Sequence, residues 1–187
     1  HLPIVETLQG DVAGYIPSNI ISMTDGQVYM SAALFAEGFK PAIGMGLSVS
    51  RIGNKVQWPA IRGLTKALSL EYVRYKELER LTRIKAGVSA DVERRLKQGK
   101  VLEELLKQDP NKPVAMDEQV IILFALREGF LNDVEPAEVC GRLERLTAQI
   151  RQNRPDIISE LFQKNKMTPQ IEEGLREQIQ RFSNTAV

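Results

Sequence analysis

The sequence predicts a mainly α-helical fold, in which a helical bundle over residues 59–187 follows a segment of short strands and turns over residues 1–58. Glycines are concentrated in the first segment, and lysines and arginines are sparse there. Short apolar runs alternate with turn residues in that segment, as is typical of short strands. After it, apolar residues recur every three or four positions, which is the period of an amphipathic helix.

Three short runs in the first segment predict strands. Residues 19–23 have the composition of a buried strand. The Thr-Asp-Gly sequence of residues 24–26 predicts a turn, and residues 27–30 predict a second strand, so that the two runs would form a hairpin. Residues 47–50 are the third candidate strand, closed by Gly53.

The first helices of the bundle are predicted from a long apolar stripe. Pro59 suits a first helical turn, and apolar residues follow at helical spacing over residues 61–81. This helix is expected to stop near residues 86–87. Ser89 is expected to cap the next helix, with Gly99 ending or kinking it.

Residues 117–128 are apolar around most of a helical circumference, which predicts the central and most buried helix, ended by Gly129. Pro136 begins another helix, the pattern breaks at residues 154–155, and Thr168 caps a last helix that starts with a proline. The total is a bundle of six or seven helices. The residues expected to face inward are Val139, Leu143, Leu146, Ile150, Ile157, Ile158, Leu161, Phe162, Ile171, Leu175, Ile179 and Phe182.

Composition argues against several classes of function. The net charge of +1 gives no global field that would recruit nucleic acid or a membrane. The longest wholly apolar run, residues 120–126, is too short to span a bilayer, which needs about 20 residues, and the start has no signal-peptide pattern. One cysteine, Cys140, excludes an internal disulfide and fits a reducing compartment, and one histidine, His1, argues against a histidine-based triad or a zinc site.

Residue types alone point to little chemistry. The 187 residues contain no glycine-rich phosphate loop followed by Lys-Ser/Thr, and the clustered carboxylates and basic residues are interpreted as solvated helix faces. Arg51 is the exception, because it follows a strand of small residues and precedes Ile52 and Gly53. An arginine there can reach outward from a rigid base, although an ordinary surface arginine remains the alternative.

Several segments resemble the alpha subunits of rotary F-type ATP synthases. Residues 17–27 resemble the "IPTNVISITDGQ" segment of that family, and residues 41–51 resemble its "PAINVGLSVSR" signature. Residues 2–7 and 10–12 resemble the stretch that precedes the first block, residues 102–108 resemble "TELLKQ", and the spacings agree. The beta subunit fits poorly.

The resemblance implies that residues 1–58 are the C-terminal remnant of a truncated P-loop (RecA-like) α/β nucleotide-binding domain. In an intact alpha subunit, strands near Ile4, Ile21 and Leu47 would join a parallel sheet whose other strands lie upstream of residue 1. Residues 59–187 would be the helical bundle domain of the alpha subunit. Stability is expected to reside in the bundle. Residues 1–58 are expected either to pack irregularly on the bundle or, because their strand edges are unpaired, to pair in a dimer of the fragment.

The family also implies partners and cofactors. Alpha subunits alternate with beta subunits in a hexamer around a central stalk (gamma) subunit, and alpha binds ATP or ADP with Mg²⁺ without turning it over. The enzyme couples ATP synthesis or hydrolysis to proton or sodium transport, as a peripheral assembly on the cytoplasmic side of a bacterial or archaeal inner membrane. The chain alone is expected to be inactive, without bound nucleotide, and to contact neither nucleic acid nor the membrane interior.

Four candidate site residues follow from the resemblance. Arg51 matches the arginine that alpha lends in trans to the catalytic site on beta, where its planar fork would stabilise charge on the transferring phosphoryl group. Ser48 matches a serine that the family needs for activity, and Ser22 matches a serine facing the catalytic interface; a packing role is the alternative for each. Gln108 matches a glutamine beside adenine, although residues 109–110 depart from the Gly-Gln that often follows it. No metal ligand is assigned.

Two alternatives concern the kind of protein. Gly44 replaces the asparagine of the signature, and residues 54–62 depart from the common alpha sequence; the latter resemble the divergent N-type ATPase alpha. A non-enzymatic helical protein–protein interaction domain is the second class of function. The motifs in the first segment favour a subunit of the rotary enzyme.

Overall fold

The computed structural model describes residues 1–66, 68–82 and 89–185, and the chain divides into two compact units. The N-terminal unit is His1–Gln57 and the bundle unit is Trp58–Val187. Helices account for most of the described residues, which confirms the mainly α-helical fold. The expected helix end near residues 86–87 lies outside the described ranges.

The N-terminal unit contains short elements joined by turns. Its two strands pair antiparallel, with Gly26 opposite Ser50 and Gln27 opposite Val49. Its buried hydrophobic side chains are those of Phe39 and Ala42. The elements, in chain order, are a 3-10 turn at Leu8–Gly10, α1 at Tyr15–Ser22, β1 at Gly26–Gln27, α2 at Ala32–Ala36, β2 at Val49–Ser50 and α3 at Gly53–Val56.

The predicted strand over residues 19–23 is wrong, because most of these residues form the second half of helix α1. Pro17 lies in the first turn of that helix, where its missing N–H removes no intrahelical hydrogen bond. The amide of Ser18 donates to the carbonyl of Gly14 at 3.0 Å and begins the helical ladder. An apolar run of a few residues carries too little periodicity to distinguish a buried strand from a helix.

The predicted hairpin is also wrong. Thr24 and Asp25 form a bend, but Gly26 already belongs to β1, which pairs with β2 more than twenty residues later instead of with residues 19–23. The resemblance implied a parallel sheet for an intact alpha subunit. In the described residues of this chain the sheet is the antiparallel β1–β2 pair, and Ile4 lies outside any strand with 97% of its surface exposed. The N–H and C=O groups of a short strand pair with whichever extended segment lies beside them, and here that segment is β2.

The bundle unit contains seven helices within its described residues, which agrees in number with the six or seven predicted, but the single helix predicted from Pro59 is two helices in the structure. A 3-10 turn at Pro136–Glu138 precedes the helix that begins at Val139. The helices are α4 at Pro59–Thr65, α5 at Leu68–Thr82, α6 at Ala90–Leu106, α7 at Met116–Arg127, α8 at Val139–Asn153, α9 at Pro155–Lys164 and α10 at Pro169–Thr185.

Helix α7 is the centre of the bundle, as predicted. Val120, Ile121 and Phe124 are completely or almost completely buried, and α7 contacts α4, α8, α9 and α10. Most residues predicted to face inward from α8, α9 and α10 are buried in the same core; Ile158 is partly buried, and Phe162 is 49% exposed. None of the described helices is long and apolar enough to cross a membrane.

Most of the residues predicted to begin or end a helix are confirmed at those positions. Gly129 follows α7 with a φ of +76°, a left-handed conformation that glycine adopts without steric cost. Thr168 accepts a hydrogen bond from the amide of Ile171 at 3.2 Å and so caps α10. Ser89 occupies the N-cap position of α6 without a side-chain capping bond.

The prediction that Gly99 ends or kinks its helix is wrong, because α6 is one uninterrupted helix over Ala90–Leu106. Gly99 is buried where α6 crosses α5, and a Cβ atom at this position would overlap the ring of Tyr75. The absence of a side chain at Gly99 therefore allows the two helices to approach each other. The residue serves packing and does not end the helix.

Candidate functional site

Arg51 is presented from a base formed by the two strands. It directly follows β2, and its amide donates to the carbonyl of Asp25 at 2.9 Å, one residue before β1. The side chain is exposed, and its guanidinium makes no hydrogen bond or ion pair with any residue that the structure describes. The donors of the guanidinium are therefore available to a group outside the described residues.

The hydroxyl of Ser48 is used within the N-terminal unit. Its Oγ donates to the carbonyl of Gly44 at 2.8 Å and accepts from the amide of Tyr29 at 3.0 Å. The amide of Gly44 in turn donates to the carbonyl of Tyr29 at 2.8 Å. The half-buried serine thus ties the segment before β2 to the segment after β1, and the proton of its hydroxyl is already engaged.

Ser22 is exposed at the last residue of α1. Its Oγ donates to the carbonyl of Asn19 at 2.6 Å, in the preceding turn of the same helix. No hydrogen bond among the described residues joins Ser22 to Ser48 or Arg51. The three candidates of the first segment belong to one unit, and Ser48 and Arg51 lie three positions apart in the segment that contains β2.

Two residues of this base were missed in the sequence. The side-chain Nε2 of Gln27 donates to the carbonyl of Leu47 at 3.1 Å, just before β2. At Gly26 a Cβ atom would overlap the carbonyl of Val49, so only glycine permits the observed approach of the strands. Gly26 was interpreted as part of a hairpin turn and Gln27 as the first residue of the second strand. Their membership in the segment that resembles "IPTNVISITDGQ" was the available signal for a further role.

Gln108, in the bundle unit, follows α6 and is exposed. Its side-chain amide donates to the carbonyl of Lys112 at 3.0 Å, across a turn in which Asn111 has a φ of +63°. The ammonium of Lys112 lies 2.7 Å from a carboxylate oxygen of Glu144 on α8. That hydrogen bond raises the pKa of Lys112 and lowers the pKa of Glu144. The Gln108 amide therefore closes its own loop, which an exposed ion pair joins to α8.

The cysteine of the bundle unit, Cys140, is not activated as a nucleophile. The residue as a whole is exposed, but partial burial of its thiol raises the pKa, and the carboxylates of Glu104 and Glu144 raise it further. A protonated thiol is a poor nucleophile and a poor metal ligand. Within the described ranges, no three histidine, cysteine, aspartate or glutamate side chains converge where they could hold a metal ion.

A charge contact with a buried carboxylate joins the start of α7 to α8. The Nε of Arg151 lies 2.7 Å from Oδ2 of Asp117, whose side chain is 7% exposed. Burial by itself would raise the pKa of Asp117, but the hydrogen bond and the charge of Arg151 outweigh it, and the pKa lies below its usual value. The carboxylate is also favoured at a helix N-terminus. This contact holds the fold and is not in an open site.

Comparison with known proteins identifies both units. The protein-family model for the ATP synthase alpha/beta chain, C terminal domain, matches residues 57–182. The protein-family model for the ATP synthase alpha/beta family, nucleotide-binding domain, matches residues 1–50. An ATP synthase subunit alpha from Aquifex aeolicus is 38% identical over 187 residues, which is 100% of this chain and 37% of that protein. One from Petrotoga mobilis is 35% identical over 183 residues, which is 98% of this chain and 36% of that protein.

The chain thus spans a little over a third of the length of the curated relatives that it matches. Both domain models belong to one family, and they occur in the same order as the two units of the structure. The relatives are alpha subunits and match along essentially the whole chain, as the sequence motifs had indicated. The chain belongs to the ATP synthase alpha/beta family, and its matched relatives are alpha subunits.

Proposed function

We propose that this chain is the part of a rotary ATP synthase alpha subunit that supplies Arg51 in trans to the catalytic nucleotide site of a beta subunit. The supporting observation is the guanidinium itself, which is exposed and has no partner among the described residues. Its backbone is fixed by the bond to Asp25 and by the β1–β2 pair. A fixed base with an unused fork suits an arginine that acts on a partner's ligand.

The chemistry of the guanidinium explains why arginine is required. Its planar fork offers paired donors in a fixed geometry that matches two phosphate oxygens, whereas lysine offers a point charge. Charge spreads over the oxygens of a phosphoryl group during its transfer, and an arginine supplied in trans is worth roughly 10³ to 10⁵ in rate. Arg51 would therefore interact more strongly with the phosphoryl group in the transition state than with the same group in the bound nucleotide.

The other candidates are assigned supporting roles. Ser48 already donates and accepts within its own unit, which favours a role in holding the segment that leads to Arg51. Ser22 is exposed, and its hydroxyl oxygen still has room to accept a hydrogen bond at an interface. Gln108 keeps a side-chain oxygen that could accept from an adenine amino group, although its nitrogen is engaged with Lys112.

ATP or ADP with Mg²⁺ is proposed as the ligand of the whole complex. The fit of this chain is partial: Arg51 suits phosphate, and no described cluster of residues suits the metal ion. Mg²⁺ would neutralise phosphate charge at the complete site. We assign no metal ligand to this chain.

The proposed partners are the neighbouring beta subunits and the central stalk (gamma) subunit. The complex would lie peripherally on the cytoplasmic side of a bacterial or archaeal inner membrane and would couple nucleotide turnover to proton or sodium transport. Membership in the N-type branch stays a prediction. A dimer of the isolated chain also stays a prediction, which analytical ultracentrifugation of the purified chain would test.

The test uses the complete alpha subunit assembled in its complex. Arg51→Lys keeps the charge and removes the fork, so steady-state ATP hydrolysis should fall by orders of magnitude while the yield of assembled complex is unchanged. Arg94→Lys is the matched control, because Arg94 is also exposed and has no described partner. Hydrolysis by Arg51→Lys at the rate of the Arg94→Lys control would refute the proposed function.

A further inference from the structure

We propose that Gln27 is a positioning residue for Arg51, an inference that rests on the function proposed above. Gln27 lies in β1 opposite Val49 of β2, and its side-chain Nε2 donates to the carbonyl of Leu47 at 3.1 Å. Leu47 precedes Arg51 by four residues in a segment that includes β2. The amide therefore holds the beginning of the segment whose end presents the guanidinium.

Hydrophobic packing contributes little to holding this segment. Leu47 is 47% exposed, Val49 is 50% exposed and Ile52 is 45% exposed. Both residues of β2 are exposed. Since no large side chain next to Arg51 is anchored in a core, hydrogen bonds must fix the position of its backbone.

Those hydrogen bonds reach the segment at several points. The amide of Arg51 donates to Asp25, the hydroxyl of Ser48 receives the amide of Tyr29, and the side chain of Gln27 donates to Leu47. Among the described residues, Gln27 is the one residue of β1 whose side chain bonds to this segment. It can be changed without altering the backbone bonds between the strands.

The position of the guanidinium is expected to depend on this bond. A group that stabilises a transition state must be held within about 0.5 Å of its productive position, and a displacement of about 1 Å can cost up to about a hundredfold in rate. A single neutral hydrogen bond contributes about 1 kcal/mol. Loss of the Gln27 bond should therefore lower turnover roughly three- to tenfold.

The experiment measures ATP hydrolysis by the complete subunit in its assembled complex. Gln27→Met keeps the length of the side chain and removes the donor, so kcat should fall roughly three- to tenfold with KM changed less than about twofold. Gln27→Glu places a carboxylate oxygen against the carbonyl of Leu47 and should lower kcat further. The control is Gln152→Met on α8, because Gln152 is exposed and has no described partner.

A double-mutant cycle separates positioning from a general structural effect. If Gln27 acts through Arg51, Gln27→Met should lower the single-turnover rate in the parent but not in an Arg51→Lys background. An equal loss in both backgrounds, or no loss from Gln27→Met and Gln27→Glu relative to Gln152→Met, would overturn this inference alone. A near-parental rate for Arg51→Lys by itself would instead overturn the proposed function, and this inference with it.

Discussion

Replacing Gly99 with alanine tests how closely α5 and α6 pack in the bundle unit. A Cβ atom at Gly99 would overlap three ring carbons of Tyr75, which is 5% exposed. The ring cannot move freely, because the hydroxyl of Tyr75 donates to Oε2 of Glu103 at 2.8 Å. The other oxygen of that carboxylate accepts from Lys76 at 3.0 Å. The substitution must therefore displace the ring, the α5–α6 contact or both.

The magnitude follows from opposing effects. Alanine is favoured over glycine inside a helix by roughly 1 kcal/mol. Overpacking of a tight contact costs about 1–3 kcal/mol, and weakening a hydrogen bond to a charged carboxylate costs about 1.5–3 kcal/mol. If both costs apply, the net loss should be roughly 1.5–5 kcal/mol, which lowers Tm by roughly 3–20 °C for a chain of this size.

Thermal unfolding followed by circular dichroism measures this effect. Gly63→Ala in α4 is the matched control, because a Cβ atom there meets nothing within 4 Å. It should raise the free energy of unfolding by roughly 0.5–1 kcal/mol through helix propensity alone. In a Tyr75→Ala background, where the ring is absent, Gly99→Ala should no longer destabilise. A Gly99→Ala variant with the parental Tm or a higher one would refute the packing argument.

Three further predictions concern nucleotide binding, proteolysis and the pH dependence of stability. The isolated chain, which has no glycine-rich phosphate loop, should neither hydrolyse Mg-ATP nor bind it tightly; calorimetry showing micromolar affinity would contradict this. Limited proteolysis should cut first before Pro59 and leave a resistant core of residues 59–187, because most buried hydrophobic side chains lie in that core. A resistant core that includes residues 1–58 in a dilute monomer would contradict this prediction. Because Arg151 lowers the pKa of Asp117, the carboxylate stabilises the fold above its unfolded pKa of about 3.8 and loses that effect as the pH falls through the folded pKa. Asp117→Asn should therefore lower Tm at neutral pH and differ less from the parent below about pH 3, and an equal difference at both values would show that Arg151 is not the cause.

The bundle could be predicted because its signals are local in the sequence. The helical stripe of α8, the proline that begins α9 and the Thr168 cap each act within one or two turns, and all three are found in the structure. Gly99 was misinterpreted because its partner, Tyr75, is 24 positions away and belongs to another helix. A glycine that permits a close contact has the same local signature as one that ends a helix.

The same distinction explains the N-terminal unit. The exposure of Arg51 at the end of a strand was predicted from its immediate neighbours. The bond from Gln27 to Leu47 spans twenty positions, and the pairing of Gly26 with Ser50 spans twenty-four. Neither has a periodic signal, so the sequence could suggest the outward arginine but not the hydrogen bonds that fix it.

The two units are stabilised in different ways, and this makes function and stability separable. The bundle unit has a continuous core of buried side chains contributed by α4 and by α6 to α10, whereas the buried hydrophobic side chains of the N-terminal unit are Phe39 and Ala42. Around Arg51 the order comes from polar contacts such as those of Gln27 and Ser48, each worth about 1 kcal/mol. Replacing these polar side chains should therefore lower turnover in the complex with little change in Tm. Replacing Gly99 should instead lower Tm, with turnover maintained below the unfolding transition. If Gln27→Met lowered Tm as much as Gly99→Ala does, the N-terminal unit would share the stability of the bundle and this separation would be wrong.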